Sequence, residues 1–260
     1  MITSTHNQQV KHVMQLNKKP RLRKEEGVFV VEGFKMLKEA PKDRVVKAYV
    51  SESALAEPTC QEMLEDLSFE AVEDHVFTQM SDTQTPQGVL AIIRRQEPDP
   101  DQLLDQPDPF LLLIENLQDP GNLGTMIRTA EGAGVTGILI SRESVDLYNP
   151  KTIRSTMGSI YRVPVHIADS LTGLIPLLHQ RGIRTYAAHL RGTESYTDAD
   201  YRKGTAFLIG NEGNGLTEEL ADAADQYIRI PMEGQVESLN AAMAAGILMY
   251  EVKRQRTGSK

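Results

Sequence analysis

Beyond residue 109, short apolar runs alternate with stretches of helical character, and this alternation constrains the fold more than any other feature of the sequence. The apolar runs indicate strands at 110–115, 137–140, 161–167, 184–190, 205–210 and 226–230. Helical patterns separate them near 122–133, 149–157 and 170–181, with a short helix from Thr217 and a last helix at about 238–255. Short apolar strands divided by helices are typical of a sheet that is covered on both faces. The sequence therefore predicts an α/β fold built on a mostly parallel sheet.

The first hundred residues predict a second, smaller α/β domain. The patterns indicate helices at 6–17 and near 58–66, and strands at 28–33, 45–50 and 88–93. The stretch RRQEPDPDQLLDQPDP that follows holds four of the 13 prolines among acidic residues and has no periodicity, which is typical of a linker. We therefore predict a boundary near residue 97, with one domain at 1–97 and the other at 98–260.

Composition excludes several classes of protein. A single cysteine, Cys60, among 260 residues excludes a disulfide framework and any metal site with several cysteines, so no metal is expected. The polar start MITSTHNQQVKH lacks the apolar core of a signal peptide. The longest run of small and apolar residues, 241–250, is half the length that spans a bilayer. We therefore expect a cytoplasmic protein without a membrane segment.

Charge is distributed unevenly along the chain. The net charge is −8, yet residues 1–47 hold 11 Lys and Arg against 5 Asp and Glu. The segment NKKPRLRKEEG at 17–27 has the charge to contact phosphates, and it is equally typical of a solvated helix end with mixed charge. The charge alone leaves both interpretations open.

A polar turn follows the strand predicted at 110–115. In ENLQDPGNLGTMIRTAEGAG, Asp-Pro-Gly-Asn at 119–122 is a turn sequence, and we expect Asn122 to cap the helix that begins beside it. The turn leaves two residues unexplained: Arg128, further along that helix, and Asn116 at the end of the strand. A dinucleotide-binding loop would need G-x-G-x-x-G, and this segment offers only Gly121 and Gly124 at those positions, so a nicotinamide cofactor is disfavoured.

Two further loops follow predicted strands. In FLIGNEGNGL the glycines at 210, 213 and 215 let the backbone approach a ligand closely, and Glu212 lies between two of them. In IPMEGQVESLNAAMAAG the chain enters the last helix, for which Ser238 is the expected N-cap, and Asn240 can face the same ligand. Parallel sheets bind ligands at the carboxyl ends of their strands, so we expect these loops to meet there.

The three segments, in this order and spacing, resemble the motifs of the SpoU (TrmH-like) branch of the SPOUT RNA methyltransferases. The resemblance covers about residues 110–255 and includes KTIRSTMGSIYRVPV at 151–165, which is similar to the segment between the first two motifs of the family. Over a shorter stretch, RLRKEEGVFVVEGFKMLKEA resembles the small α/β substrate-binding domain that is often fused to this enzyme.

The resemblance implies a fold, a cofactor and an assembly. The C-terminal part would thread through a loop to make a deep trefoil knot, an exception to the rule against knots. The knot would bind S-adenosylmethionine, largely through backbone groups, at Gly210, Asn211, Ile230, Met232 and Leu239. Members of the family pair through the helices that flank the cofactor, so we expect a homodimer. Small residues of the last helix would permit close packing, either in that interface or inside the monomer: Ala241, Ala242, Ala244, Ala245 and Gly246.

The reaction that the resemblance implies is methyl transfer to a ribose 2′-hydroxyl of structured RNA. Arg128 would be the catalytic residue, and Asn122, Glu212, Ser238 and Asn240 would complete a hydrogen-bonded site. A guanidinium is a poor proton acceptor at pH 7, so we interpret Arg128 as a group that binds the phosphate and the developing alkoxide. Glu212 would orient Arg128 or a neighbouring amide, and the alternative is a turn residue that faces solvent.

Both the substrate and the activity have alternatives. Ribosomal RNA is favoured over transfer RNA, because the N-terminal domain resembles the one found on ribosomal RNA enzymes of this branch. The alternative in another class is a methyltransferase fold that has lost catalysis and acts as an RNA-binding assembly factor. The complete set of Asn122, Arg128, Glu212, Ser238 and Asn240 argues against that alternative.

Overall fold

The computed structural model describes residues 1–235 and 238–258. Within it the chain forms two compact units. Unit 1 consists of Met1–Gln96 and Asp146–Tyr161, and unit 2 consists of Glu97–Val145 and Arg162–Lys260. Each unit combines helices with a sheet, so the predicted α/β class is confirmed.

The secondary structure of the described residues follows in chain order. The strands are β1 (Val28–Glu32), β2 (Val45–Ser51), β3 (Phe69–Val72), β4 (Val89–Arg94), β5 (Phe110–Ile114), β6 (Gly137–Ser141), β7 (Val165–Ala168), β8 (Arg184–Ala188), β9 (Glu194–Ser195), β10 (Thr205–Ile209) and β11 (Gln226–Arg229). The α-helices are α1 (Gln8–Lys18), α2 (Pro20–Glu26), α3 (Phe34–Lys38), α4 (Glu52–Leu55), α5 (Pro58–Met63), α6 (Asp74–Met80), α7 (Pro100–Leu104), α8 (Pro120–Ala133), α9 (Pro150–Thr156), α10 (Leu171–Gln180), α11 (Glu218–Asp222) and α12 (Ala241–Thr257). Short 3₁₀ turns lie at Lys42–Arg44 and Ser159–Tyr161.

Among the residues that the structure describes, each unit contains one sheet. In unit 1 the strand order is β1-β4-β2-β3, with β4 antiparallel to β1 and β2 and with β3 parallel to β2. In unit 2 the order is β7-β6-β5-β10-β8-β11-β9, and all neighbouring strands are parallel. The parallel sheet predicted from the sequence is confirmed, and the carboxyl ends of its strands therefore lie along one edge.

Burial explains why these segments form regular structure. All five residues of β5, β6 and β10 are buried, as expected for central strands of a parallel sheet with helices on both faces. In unit 1, Val10, Val13 and Leu16 of α1 recur at helical spacing and are fully buried in the core. Asn7 is the N-cap of α1, and its side chain accepts a hydrogen bond from the N–H of Gln9.

Residues 146–161 interrupt unit 2 in sequence and pack within unit 1. The guanidinium of Arg23, with a side chain only 3% exposed, pairs with the Asp146 carboxylate and also donates to the carbonyl oxygens of Leu16 and Asn17. The ring of Tyr148 lies 4.8 Å from that of Phe29. The boundary near residue 97 stays a prediction, and residues 146–161, which follow it in the sequence, pack with unit 1.

Some predicted elements differ from those observed. The strand predicted at 161–167 begins only at Val165, because a 3₁₀ turn ends at Tyr161 and Pro164 has no N–H to donate to a ladder. The segment predicted as a linker contains α7, whose Leu103 and Leu104 are buried in the core of unit 2. The pair β3 and α6 was not predicted at all.

The strand order tests neither the cytoplasmic location nor the trefoil knot that we expect. None of the helices in the described part of the chain has both the length and the apolar run needed to cross a bilayer. The cytoplasmic location stays a prediction. So does the trefoil knot, since it is a property of how the chain threads and not of which strands pair.

The buried anchor of residues 146–161 is testable by substitution. Arg23→Ala leaves a buried space and deprives the Asp146 carboxylate and two carbonyl oxygens of their donor, so the free energy of unfolding should fall by about 2–4 kcal/mol. Arg21→Ala is the matched control, because Arg21 is exposed and pairs with Glu25 one turn away. Its effect should stay below about 0.5 kcal/mol. Urea denaturation measures both, and equal effects would show that Arg23 anchors nothing.

Candidate functional site

A cleft of about 240 Å³ opens at the carboxyl edge of the unit 2 sheet. Its walls come from the residues that follow β8, β10 and β11 and from the start of α12. They are Ala188, His189, Leu190, Ile209, Gly210, Asn211, Glu212, Gly213, Asn214, Gly215, Ile228, Arg229, Ile230, Met232, Ser238, Leu239, Ala241, Ala244 and Leu248. The strand-end site expected from the sequence is therefore present as a cavity.

The glycine-rich loop after β10 folds back on itself. Asn211 and Gly215 exchange two backbone hydrogen bonds, each 3.0 Å long. The side-chain oxygen of Asn211 accepts from the N–H groups of Gly213 and Asn214, and its amide donates to the carbonyl oxygen of Asn116 at 2.8 Å. A Cβ on Gly210 would lie 2.1 Å from the carbonyl carbon of Gly215. Only glycine at position 210 permits this close approach of two backbone segments.

Glu212 joins this loop to the segment that precedes α8. Its carboxylate accepts hydrogen bonds from the backbone N–H groups of Gln118 at 3.1 Å and Asp119 at 2.9 Å, and from the side-chain amide of Asn122 at 3.0 Å. Burial acts to raise the pKa of Glu212, but these hydrogen bonds outweigh it and hold the pKa below its ordinary value. Glu212 is therefore an ionised acceptor at neutral pH. Of the two partners considered for it, a neighbouring amide is the one that it contacts.

Asn122 and Asn240 extend this contact into a directional chain of hydrogen bonds. The Asn240 side-chain oxygen accepts from the N–H groups of Ala242 and Met243, so its NH₂ group is left to donate to the Asn122 oxygen at 3.0 Å. The NH₂ group of Asn122 in turn donates to Glu212. Because backbone donors fix one end and a carboxylate fixes the other, neither amide can be reversed without losing hydrogen bonds. The chain connects the starts of α8 and α12 to the glycine-rich loop.

The expected helix caps were each assigned to the wrong residue. Asp119, not Asn122, is the N-cap of α8, and its side chain accepts from the N–H of Asn122 at 2.8 Å. Asn240, not Ser238, is the N-cap of α12, because the backbone of Asn240 is still non-helical and its side chain accepts from the N–H groups of Ala242 and Met243. Ser238 is exposed and lines the cleft instead. These assignments leave both side-chain ends of Asn122 available for the hydrogen bonds to Glu212 and Asn240.

Arg128 is not brought to this network within one chain. A helix turns by about 100° and rises by about 1.5 Å per residue, so Arg128 lies about 9 Å along α8 from Asn122 and on a different face. Its side chain is exposed, and among residues 1–235 and 238–258 it forms no hydrogen bond or ion pair. Of the other predicted residues, the five expected to bind the cofactor, with Glu212 and Ser238, line the cleft, and Asn122 and Asn240 reach it through Glu212.

Sequence reasoning gave no role to several residues that shape the site. Glu115 is only 9% exposed, and its carboxylate accepts hydrogen bonds from the backbone N–H and from the hydroxyl of Thr217, both at 2.7 Å. These contacts fix the far end of the glycine-rich loop. Asn116 adopts a positive φ of 53° and presents its carbonyl oxygen to Asn211. Residues 188–190 form a wall of the cleft, which strand order alone explains, because β8 is the neighbour of both β10 and β11.

The fold and the cleft define a parallel α/β protein that binds a ligand between loops at the carboxyl ends of its strands. Residues 109–250 match the model of the SpoU rRNA methylase family, and residues 7–91 match that of the MRM3-like substrate binding domain. The chain belongs to the SpoU rRNA methylase family.

Two methyltransferases are similar in sequence to this chain over nearly their whole length. An uncharacterised tRNA/rRNA methyltransferase of Synechocystis sp. is 33% identical over 98% of this chain and 94% of its own. The 23S rRNA (guanosine(2553)-2′-O)-methyltransferase RlmP of Bacillus subtilis is 32% identical over 97% and 98%. The AdoMet-bound rRNA methyltransferase of Sinorhizobium meliloti has a similar structure, with a TM-score of 0.88 and 31% identity over 97% of both chains.

The close backbone approach at Gly210 predicts a sharp difference between two glycines of the same loop. Gly210→Ala forces the loop open and should destabilise the protein by about 1–3 kcal/mol. Gly213→Ala is the control, because its Cβ would make an ordinary contact of 3.6 Å with the Asn211 oxygen. That change should stay within about 0.5 kcal/mol of the parent protein. Thermal unfolding compares the two, and a well-tolerated Gly210→Ala would contradict the described loop.

Proposed function

We propose that this protein transfers a methyl group from S-adenosylmethionine to a ribose 2′-hydroxyl of RNA. The observation that carries the proposal is the convergence of three sequence motifs on one cleft. Glu212 binds the segment before α8, and Asn240 at the start of α12 binds Asn122 of α8. Family membership supports the reaction, and the name of the Bacillus subtilis relative specifies 2′-O-methylation.

The donor groups of the cleft fit S-adenosylmethionine. The side chains of Asn211 and Glu212 are already engaged by the protein, so a ligand meets mainly the backbone of residues 210–215 and apolar walls. A Cβ on Gly215 would meet no atom within 4 Å, so there is space for a ligand beside this residue. Ile230, Met232 and Leu239 would complete the cofactor site. The cofactor, when bound, supplies a methyl group that its sulfonium has already activated.

The remaining task of the protein is to position the RNA and to stabilise the charge that develops on its hydroxyl oxygen. Glu212 is unsuited to act as a base, because three N–H donors engage its carboxylate and its pKa is low. We assign it to holding the loop and the Asn122 amide in place. Arg128, exposed and without a protein partner in the described residues, is available for an RNA phosphate and the developing alkoxide.

Ribosomal RNA is the substrate that we favour. Unit 1 carries exposed lysines on α1 and α2, Lys11, Lys18 and Lys24, that form no ion pair within residues 1–235 and 238–258 and can bind phosphates. In contrast, Arg23 from the same basic segment is buried, and Arg21 pairs with Glu25. The name of the Bacillus subtilis relative specifies ribosomal RNA and supports this choice. The name of the Synechocystis relative includes both RNAs, so transfer RNA stays an alternative.

Mapping of 2′-O-methylated nucleotides tests the function directly. Total RNA from cells with and without the gene should differ at one or a few nucleotides of ribosomal RNA. Loss of a mark from transfer RNA would establish the other substrate. If purified protein binds S-adenosylmethionine but no RNA loses a mark when the gene is deleted, the alternative of an inactive RNA-binding assembly factor gains support.

Arg128→Ala should keep the fold and the affinity for S-adenosylmethionine, because the cleft is built without this side chain. Turnover should fall by a factor on the order of 10²–10⁴. Arg128→Lys should fail nearly as badly, since an ammonium cannot hold two oxygens in the plane of a guanidinium. Single-turnover methyl transfer to the mapped RNA measures the rate, and calorimetry measures cofactor affinity. Near-normal turnover of Arg128→Ala would overturn this role.

We also propose that the protein is a homodimer. The small residues Ala241, Ala242 and Ala245 are buried inside unit 2, so they do not form the interface. An apolar stripe on α12 instead faces outward at helical spacing: Met243, which is 61% exposed, the half-buried Ile247, and Tyr250, which is 50% exposed. Exposed apolar stripes of this kind mark contact surfaces, and α12 lies beside the cleft.

Light scattering at micromolar concentration should therefore give the mass of a dimer. Met243→Glu places a charge in the stripe and should shift the protein to monomers while the fold is retained. Val46→Glu makes the same kind of change at an exposed apolar residue of unit 1 and should leave the dimer intact. A monomeric parent protein would rule out the assembly, and a dimeric Met243→Glu variant would place the interface elsewhere.

A further inference from the structure

His189 lies in the wall of the cleft that none of the three motifs supplies. It follows β8 directly, is half-buried, and lines the cleft between Ala188 and Leu190. Its backbone is held on both sides, because its N–H donates to the carbonyl oxygen of Ile228 and its own carbonyl oxygen accepts from Gly192, each at 3.0 Å. A Cβ on Gly192 would lie 2.7 Å from the carbonyl carbon of Ile228, so the turn at 189–192 packs tightly on β11.

The surroundings of the imidazole determine which nitrogen carries the proton. Nδ1 accepts a hydrogen bond from the backbone N–H of Arg191 at 3.0 Å. In a neutral imidazole, the nitrogen that does not accept is the one that donates, so Nε2 carries the proton. The ring also packs edge-to-face on Tyr227, with 5.4 Å between the centroids. Nε2 makes no hydrogen bond to any residue in 1–235 or 238–258, whereas Nδ1 and the backbone N–H and C=O groups of His189 are all hydrogen-bonded.

The charged groups around His189 keep it neutral at physiological pH. Burial lowers the pKa of His189 below its ordinary value, and the guanidinium of Arg191 lowers it further. Asp222 and Glu218 of α11 act in the opposite direction and do not outweigh these effects. Arg191 lies near both carboxylates, and the Tyr227 hydroxyl hydrogen-bonds to Asp222, so these acids are already engaged. A neutral imidazole is therefore present in the cleft wall, and its Nε2–H has no acceptor among residues 1–235 and 238–258.

We propose that His189 binds the nucleoside part of S-adenosylmethionine, with its Nε2–H as the donor to a nitrogen or oxygen of adenosine. The inference rests on the proposed function, because it assumes that this cleft holds the cofactor. It adds a binding residue outside the three motifs and a requirement for one protonation state.

The position of His189 in the sheet selects the nucleoside over the amino-acid end of the cofactor. The hydrogen-bonded chain of Glu212, Asn122 and Asn240 marks the side of the cleft near β5 and β10. His189 follows β8, on the other side of β10, and β11 lies beyond it. On that side Ala188, Leu190 and Ile228 form an apolar wall that suits a purine ring. Arg229 at the end of β11 also lines the cleft there and is the one charged residue among the described residues that line that side.

Two ligands separate the possible roles of the side chain. S-adenosylhomocysteine contains the nucleoside and the amino-acid end, whereas 5′-methylthioadenosine contains the nucleoside alone. His189→Ala should weaken both by a similar factor, about 5- to 30-fold, in calorimetry at pH 7.5. Loss of affinity for S-adenosylhomocysteine alone would place His189 at the amino-acid end and overturn the proposal. Failure of the parent protein to bind either ligand would instead refute the proposed function.

Two conservative variants separate the Nε2 donor from the support of the turn. His189→Gln carries an amide N–H close to the place of Nε2 and should bind both ligands within about 3-fold of the parent protein. His189→Asn can still accept the Arg191 N–H, as asparagine does in an Asx-turn, but has no donor at that place. It should lose affinity as His189→Ala does. Normal binding by His189→Asn would show that His189 only supports the turn.

The pH dependence of binding gives an independent readout. Protonation of Nδ1 removes the acceptor of the Arg191 N–H and adds a positive charge beside the Arg191 guanidinium, so affinity should fall as the pH drops through the lowered pKa of His189. The parent protein should therefore bind equally well from pH 7 to 8 and lose affinity only at pH values below the ordinary histidine pKa of about 6.5. His189→Gln should show no such loss, and an identical loss in that variant would contradict the proposal. His179→Gln, outside the cleft, is the control and should behave as the parent protein does.

Discussion

The cleft depends on how one carboxylate satisfies the backbone donors of a neighbouring loop. Residues 118 and 119 lie outside any helix or ladder, so their N–H groups need an acceptor, and Glu212 supplies it from the loop after β10. Because the same carboxylate binds Asn122, removal of its charge would affect the glycine-rich loop, α8 and α12 together. An acid between two glycines is therefore a structural connection between sequence motifs that are about 90 residues apart.

The polar groups of the site are of two kinds: some are held by hydrogen bonds within the protein, and others have no hydrogen-bond partner among the described residues. Four polar side chains form their hydrogen bonds with one another and with the backbone: Asn211, Glu212, Asn122 and Asn240. Their geometry is thus set before a ligand arrives, which lowers the cost of ordering on binding. Arg128 and the Nε2 of His189 have no such partners in the described residues. Groups of the second kind are the ones that a substrate or cofactor can engage.

Much of this arrangement follows from the sequence, because apolar strands and glycine-rich strand ends leave a local signal. The parallel sheet, the meeting of the loops and the seven predicted residues in the cleft wall all derive from such signals. The helix caps did not, since Asp119 and Asn122 are both competent caps and a long-range contact with Glu212 decides between them. The packing of residues 146–161 with unit 1 leaves no local signal for the same reason: their anchor, Arg23, is more than 120 positions away in sequence.

The use of residues 146–161 by unit 1 affects the order in which the chain can fold during synthesis. An N-terminal domain that ended at residue 97 could fold as soon as it left the ribosome. Unit 1 instead lacks the partner of the buried Arg23 until Asp146 has been made, and it lacks the Tyr161 hydroxyl that donates to Met36 until the segment is complete. At typical synthesis rates this delay lasts roughly 3–13 seconds. For that interval the Arg23 guanidinium would lack its carboxylate partner, so unit 1 would stay incomplete and exposed to chaperones and to misfolding.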